Sequence, residues 1–217
     1  MTENRTEPTR LNRQEAKRET QDRLLAAARE LFLERGFHAA SVADIAARAG
    51  YTTGAIYSNF GGKEDLFLAI YDEQVTRGVE QAQRAFAEAG WIGGLERLTA
   101  QRGDRDRSDE LWLAVFLEFW AHVIRSPDAR ERFAELHARA LEPIVEANER
   151  LVSEHGMKLP LDPRSWTLAM NGMHLGIVLE RLTQPDVVAP DLGIRMQRFA
   201  VEQVMRDGGT RERGRKR

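Results

Sequence analysis

The stretch SVADIAARAGYTTGAIYSNFGGK, residues 41–63, decides how the rest of the chain is read. Ser41 is a good N-cap, and Asp44, three residues on, suits the positive end of a helix dipole. The spacing predicts a short helix over Val42–Ala49 that buries Val42, Ile45, Ala46 and Ala49. Gly50 breaks it. Thr52 or Thr53 caps a second short helix through Tyr57, and a loop over Ser58–Gly62 leads to a long helix opening on Lys63-Glu64-Asp65. Two short helices around a tight glycine turn, the second carrying small and hydroxyl side chains and then an aromatic, make a helix-turn-helix. The major groove, about 12 Å wide, admits one helix. Thr53, Gly54 and Ala55 are small enough to let a backbone approach base edges, while Ser41, Tyr57 and Lys63 are the groups suited to hold phosphates.

Upstream, Leu24, Leu25, Ala28, Leu31 and Phe32 form one apolar helical face, ended by Gly36, with Phe37 folding back on the last turn. Downstream, Leu66, Phe67, Ile70, Tyr71, Val75, Val79, Ala82 and Phe86 mark a long helix. The composition changes near Gly90. A weaker helix over Trp91–Gln101 and a charged loop over Arg102–Ser108 precede Asp109–Ile124, which is apolar nearly all round and is expected inside a core. Pro127 opens a helix to about His155, which Pro143 is expected to bend. After a loop at Gly156–Pro163 comes Arg164–Thr183, again apolar over most of its circumference. The last helix is Asp191–Met205. The fold class expected is all-α, about nine helices: a flexible polar tail at 1–16, a helix-turn-helix domain at 17–62 (the motif itself at about 41–60), a helical regulatory domain at 63–206 and a flexible basic tail at 207–217.

Bulk properties narrow the classes. Of the chain's 217 residues, Lys plus Arg number 32 and Asp plus Glu 34, a net charge of −2, so any nucleic-acid contact is a local patch, not a general basic coat. There is no cysteine, which removes disulfides, thiolate metal sites and thiol nucleophiles. The five histidines show no metal-ligand spacing, no Ser-His-Asp order has local support, and Gly61-Gly62-Lys63 lacks the first glycine and preceding strand of a phosphate loop. No catalytic residue, cofactor or metal is expected. No apolar run approaches the roughly 20 residues of a membrane span, and the N-terminus has no signal-peptide core. A cytoplasmic protein is expected.

Ala39–Leu66 resembles the TetR family of repressors. The pattern is carried by Ser41 before the second helix, Ile45-Ala46 within it, Ala49-Gly50 at the turn, and Tyr57, Phe60 and Lys63 after the recognition helix; Glu34-Arg35-Gly36-Phe37 fits it too. The resemblance implies that Ser41 meets phosphate, Thr52 caps the third helix, Thr53 and Gly54 face bases, Tyr57 and Asn59 touch phosphate or base, and Lys63 holds phosphate. Tyr51 stands where a small aliphatic is common and Asn59 where a His is common, which points to an operator of its own.

The resemblance also implies a pocket for a small, largely apolar effector between the middle helices. Trp112, Phe116, Phe119, Trp120, Met170 and His174 are its candidate lining, with Glu118 and His122 as further polar anchors; any one of them also suits a plain core. The last two helices are the candidate homodimer interface, through Ile177, Leu182, Met196 and Phe199, since pairing two helix-turn-helix units on one palindromic duplex demands two-fold symmetry. Effector would then move the long helix from Lys63 and spoil the match to successive grooves. The competing readings are a helical small-molecule-binding or protein-interaction module without specific DNA binding, and a DNA-binding activator.

Overall fold

The computed structural model of the chain describes residues 10–103, 107–155, 158–193, 195–200 and 202–204, and among these every regular element is helical. The elements are α1 (Arg10–Ala39), α2 (Val42–Ala49), α3 (Thr53–Phe60), α4 (Lys63–Gly103), α5 (Arg107–Val123), α6 (Pro127–His155) and α7 (Pro163–Thr183). Helical residues recur at 192–193, 195–200 and 202–204.

Several boundaries differ from expectation. The first helix begins at Arg10, so residues 10–16 are helix and not tail; residues 1–9 and the basic tail at 207–217 lie outside the described residues. Two expected breaks do fall where the sequence puts them: Gly36 (φ 79°, ψ 170°) ends the first helical run of α1, with a short second run to Ala39 beyond the kink, and Gly90 (φ 65°, ψ −170°) separates two helical runs within α4. The charged loop expected at 102–108 shrinks, because α4 runs to Gly103 and α5 starts at Arg107. α3 continues past Tyr57 to Phe60 and ends on Gly61 in the left-handed region (φ 77°). α6 passes through Pro143 as one element, and Pro163 opens α7 one residue early, behind Asp162, whose side chain caps Ser165 N–H at 3.0 Å.

The chain divides into two compact units, and not at residue 63. The first comprises Met1–Glu73 with Leu111–Phe133, the second Gln74–Glu110 with Ala134–Arg217. α5 from Leu111 onward, the first turns of α6 and the opening turns of α4 therefore belong with the helix-turn-helix. Leu24, Leu31, Phe32, Phe37, Ile45, Ile56, Leu66, Phe67, Ile70, Phe119 and Val123 are all but sealed from solvent, and all lie in the first unit. At about 1.5–3 kcal/mol for each fully buried large apolar side chain, this core is what holds the short helices, which are too short to persist alone.

The second unit has a smaller core of Ala82, Phe86 and Ala147, with Leu98 and Ile144 against it. Gly94 lets the residues after Gly90 approach closely, since a Cβ there would stand 2.6 Å from the Phe86 ring. One buried polar pair crosses it: Asn148 Nδ2 donates to Thr167 Oγ1 at 3.0 Å, and that hydroxyl donates to the Pro163 carbonyl at 2.8 Å. α7 leaves Leu168 half exposed, and Met196 and Phe199 further on are 37% and 55% exposed.

Candidate nucleic-acid interface

α2 starts as its sequence dictates. Ser41 is extended (φ −96°, ψ 155°), and its Oγ accepts from Asp44 N–H at 3.0 Å. The same hydroxyl donates to Asp44 Oδ2 at 2.6 Å. That bond, ahead of the nearby Arg35 and Arg48 charges, holds the Asp44 carboxyl below its ordinary range. Ser41 is exposed, but its one proton is engaged by a carboxylate that also faces outward. At the other end Arg48 grips Glu34 with two bonds, 2.8 and 2.9 Å, fixing α2 to α1. Gly50 (φ 76°, ψ 27°) turns the chain, with Gly50 N–H on Ala47 O and Tyr51 N–H on Ala46 O, the paired bonds of a Schellman stop.

α3 follows after Thr52, the N-cap residue by backbone (φ −90°, ψ 160°), which makes no side-chain cap bond. Ile56 is fully buried and anchors the helix. Thr52, Thr53, Gly54, Tyr57 and Ser58 are exposed, and Tyr57 is 59% exposed, high for so large an apolar ring. The structure thus brings Thr52, Thr53, Gly54 and Tyr57 onto one open face. Nothing in the fold crowds Gly54, as a Cβ there would meet only Thr52 Oγ1 at 3.6 Å. Asn59 stands apart from them: its Nδ2 folds back on the Ala55 carbonyl at 2.8 Å. Tyr51 is half-buried in the turn.

Lys63 is placed differently from a simple phosphate ligand. Its Nζ donates to the carbonyls of Phe37 (2.9 Å) and His38 (3.2 Å) and lies 4.6 Å from the centre of the Phe37 ring. Desolvation lowers its pKa, against the opposing pull of Glu118 and Glu64. Glu118 and His122, suggested by the sequence as anchors for a ligand, serve the head itself. Glu118 Oε2 accepts from His38 N–H at 3.1 Å, and His122 Nε2 lies 2.5 Å from Glu64 Oε1. So α5 is tied to the end of α1 and the start of α4. The sequence signal was the pair itself: two polar residues one turn apart on a helix otherwise apolar, a pattern that marks a buried partner without saying which.

The candidate pocket residues fall in both units. Phe119 is fully buried between Phe67, at 3.9 Å between ring centres, and Phe37 at 5.0 Å. Trp112 stacks on Phe67 (5.4 Å, 6°), and Phe116 meets Tyr71 at 5.3 Å and Trp120 at 5.2 Å. These four aromatics are brought together, as packing within the first unit. Met170 and His174 lie on α7 in the second unit, where the His174 ring adjoins Gly193. Ile177 and Leu182 are half-buried on α7. Among the described residues no group of acidic, His or Cys side chains is arranged to hold a metal, and no helix is long and apolar enough to cross a membrane.

Residues 24–70 match the profile of the tetR family of bacterial regulatory proteins, and residues 93–206 that of the C-terminal domain of BetI-type transcriptional repressors. The chain is 33% identical over 122 residues to the HTH-type transcriptional repressor AcnR of Corynebacterium diphtheriae, an alignment that covers 56% of this chain and 59% of that relative. Among solved structures, a TetR-family regulator from Rhodococcus sp. superposes with a TM-score of 0.71 at 19% identity, covering 87% of this chain and 99% of that one. The regulator FadR of Bacillus subtilis, solved in complex with stearoyl-CoA, superposes with a TM-score of 0.69 at 20% identity, covering 83% of this chain and 97% of that one. At such identities the structural likeness is one of fold.

Proposed function

The chain belongs to the TetR family of bacterial regulatory proteins, and from that premise we propose that it is a transcriptional repressor that binds a palindromic operator as a homodimer and is released by a small, largely apolar effector. The observation that carries the DNA-binding part is the open face of α3: Thr53, Gly54 and Tyr57 stand exposed on a helix whose opposite side is nailed down by Ile56. A large aromatic left in solvent beside two small residues suits a groove wall and floor better than a self-contained fold. Thr52 and Thr53 offer hydroxyls to either base type. The start of α2, where Asp44 engages Ser41, and the start of α4, where two Lys63 donors are engaged, make backbone N–H groups the better candidates there for phosphate. Lys63 then acts chiefly by holding α4 against α1, with one N–H left for phosphate.

Dimerisation is supported by the apolar surface that α7 and the C-terminal helical residues leave uncovered, Leu168, Met196 and Phe199 above all. Effector binding is supported by the fold relative that holds stearoyl-CoA; for this chain the chemical class stays apolar and otherwise open, with Met170 and His174 on α7 as candidate contacts. The protein acts on DNA in the cytoplasm and carries out no reaction of its own. Selection of random duplex DNA by the purified protein, followed by titration of the enriched sequence at two salt concentrations, tests the reading. An inverted repeat bound with affinity that falls steeply with salt supports it. No enrichment, before or after unfolding and refolding to strip any carried effector, refutes it.

A further inference from the structure

α1 extends well beyond the core it serves. Arg13 to Glu19, about two helical turns, are exposed at every position, Ala16 included, and the first buried residue is Leu24. Such a projection contributes no apolar burial to the unit. Its charges are sorted by face. At about 100° per residue, Lys17 lies within about 40° of Arg13 and of Leu24, Ala28 and Leu31, so the cationic stripe continues the line along which α1 meets the rest of its unit. Glu15 and Glu19 lie about 160° away, and Glu19 is already occupied by Arg23 at 2.7 Å. The sorting works against the helix. Arg13 with Lys17, and Glu15 with Glu19, are like-charge pairs at i,i+4, which weaken a helix, where alternating signs would have strengthened it. No ion pair is formed by Arg13, Lys17 or Arg18 among the described residues. In a chain of net charge −2, this is a local cationic face presented by the same compact unit that presents α3.

We infer that this face, Arg13 and Lys17, with Arg18 about 100° round the helix from Lys17, is a second duplex-binding surface that grips backbone phosphates outside the base pairs read by α3. The inference rests on the DNA-binding reading above and adds to it a longer, sequence-independent footprint. A polyanion is the occupant that charge complementarity selects, and duplex DNA is the polyanion already brought to this unit.

The test uses the full chain and the variant Arg13→Gln/Lys17→Gln/Arg18→Gln, with the duplex enriched by the unaltered protein carried in long mixed-sequence flanks. Glutamine keeps helix propensity, and circular dichroism checks that helix content is unchanged. Each lost phosphate contact lowers the slope of log affinity against log salt by about 0.9. Two or three contacts per protomer, four to six on the dimer, therefore shrink the drop in affinity between about 50 and 200 mM salt by roughly 10²–10³-fold. Preference for the enriched sequence over a mixed one is unchanged, and the charge-preserving Arg13→Lys/Lys17→Arg/Arg18→Lys protein keeps the full slope. Trimming the flanks weakens the unaltered protein but not the glutamine variant. Equal slopes and equal sensitivity to trimming in the two proteins overturn the inference while leaving DNA recognition by α3 intact. An unaltered protein that binds no duplex overturns both. Slopes that fall only together with sequence preference also overturn it, since the residues would then act through α3.

Discussion

Gly36→Ala tests whether the head is held as described. Gly36 sits at φ 79°, ψ 170°, a region open to glycine and strained for any L residue, at about 1–3 kcal/mol. A Cβ there would also collide with the carboxylate of Glu118. That carboxylate is the end of a flexible side chain and can swing away, but only by giving up its bond from His38 N–H. A bond to a charged group is worth about 1.5–3 kcal/mol. Against these, alanine restricts the unfolded chain and returns about 0.4–1 kcal/mol. The net expectation is a loss of about 2–5 kcal/mol, read from urea unfolding at fixed protein concentration. The cycle with Glu118→Ala separates the parts. With the carboxylate gone the new methyl has room, so only the backbone strain remains, and the double variant falls short of the summed single losses by about 1 kcal/mol or more. A cost below about 1 kcal/mol for Gly36→Ala, or additivity within about 0.5 kcal/mol, the range usual for independent sites, would refute the claim that α5 closes on the end of α1 through this contact.

Other outcomes follow from the same structure. Tyr57→Ala leaves stability within about 0.5 kcal/mol, as an exposed site should, yet weakens binding to the selected duplex by tenfold or more in a gel-shift or anisotropy titration. Lys63→Met removes two charge-assisted bonds to carbonyls, each worth about 1.5–3 kcal/mol, and lowers stability by at least about 1.5 kcal/mol, where a lysine serving phosphate alone would leave the urea midpoint unmoved. His137 has its pKa lowered from 6.5 by burial, so the folded state binds fewer protons than the unfolded one below that value. Stability is complete above pH 6.5 and is lost as pH falls toward the folded pKa; His137→Gln flattens that part of a stability–pH curve. Phe199→Asp, on the exposed face near the C-terminus, yields monomers by light scattering, and a persisting dimer would move the interface elsewhere.

Local signals were legible where the chain settles its own geometry. Ser41 with Asp44, the left-handed turn at Gly50 and the alternation of Ile56 with open positions are short-range matters, and α2 and α3 form as their residues prescribe. Helix limits were less so. Arg10–Ala16 has no apolar face to reveal it, so it reads as tail although it continues a packed helix. Gly36 and Gly90, by contrast, are legible as breaks, because each takes a positive φ that only glycine adopts readily, between two helical runs. The site's polar ties were beyond reach for another reason. Glu118 meets His38 across 80 residues and His122 meets Glu64 across 58, and periodicity names a face without naming what lies against it. The same limit governed Phe119 and its neighbours, where bulky aromatics on an apolar helix fit the wall of a cavity and the middle of a core equally well.

That Phe119 of α5 is core to the DNA-binding unit changes what regulation has to accomplish. Phe119 cannot shift without disturbing Phe37 and Phe67, and Glu118 and His122 move with it. Packed rings do not deform continuously; they repack between discrete arrangements. An effector that weakens operator binding 100-fold must prefer the released arrangement by about 2.7 kcal/mol. One charge-assisted bond, worth about 1.5–3 kcal/mol, is of that size. Loss of the Glu118 to His38 bond, or of one Lys63 bond to the end of α1, is therefore sufficient in energy to report effector binding to α3, and no unfolding of the head is required. Glu118→Gln, which keeps an acceptor and removes the charge, is accordingly the variant in which operator affinity falls part of the way with no effector present and the further response to effector shrinks by the same factor. A variant that keeps both full affinity and full response would place the switch outside this contact.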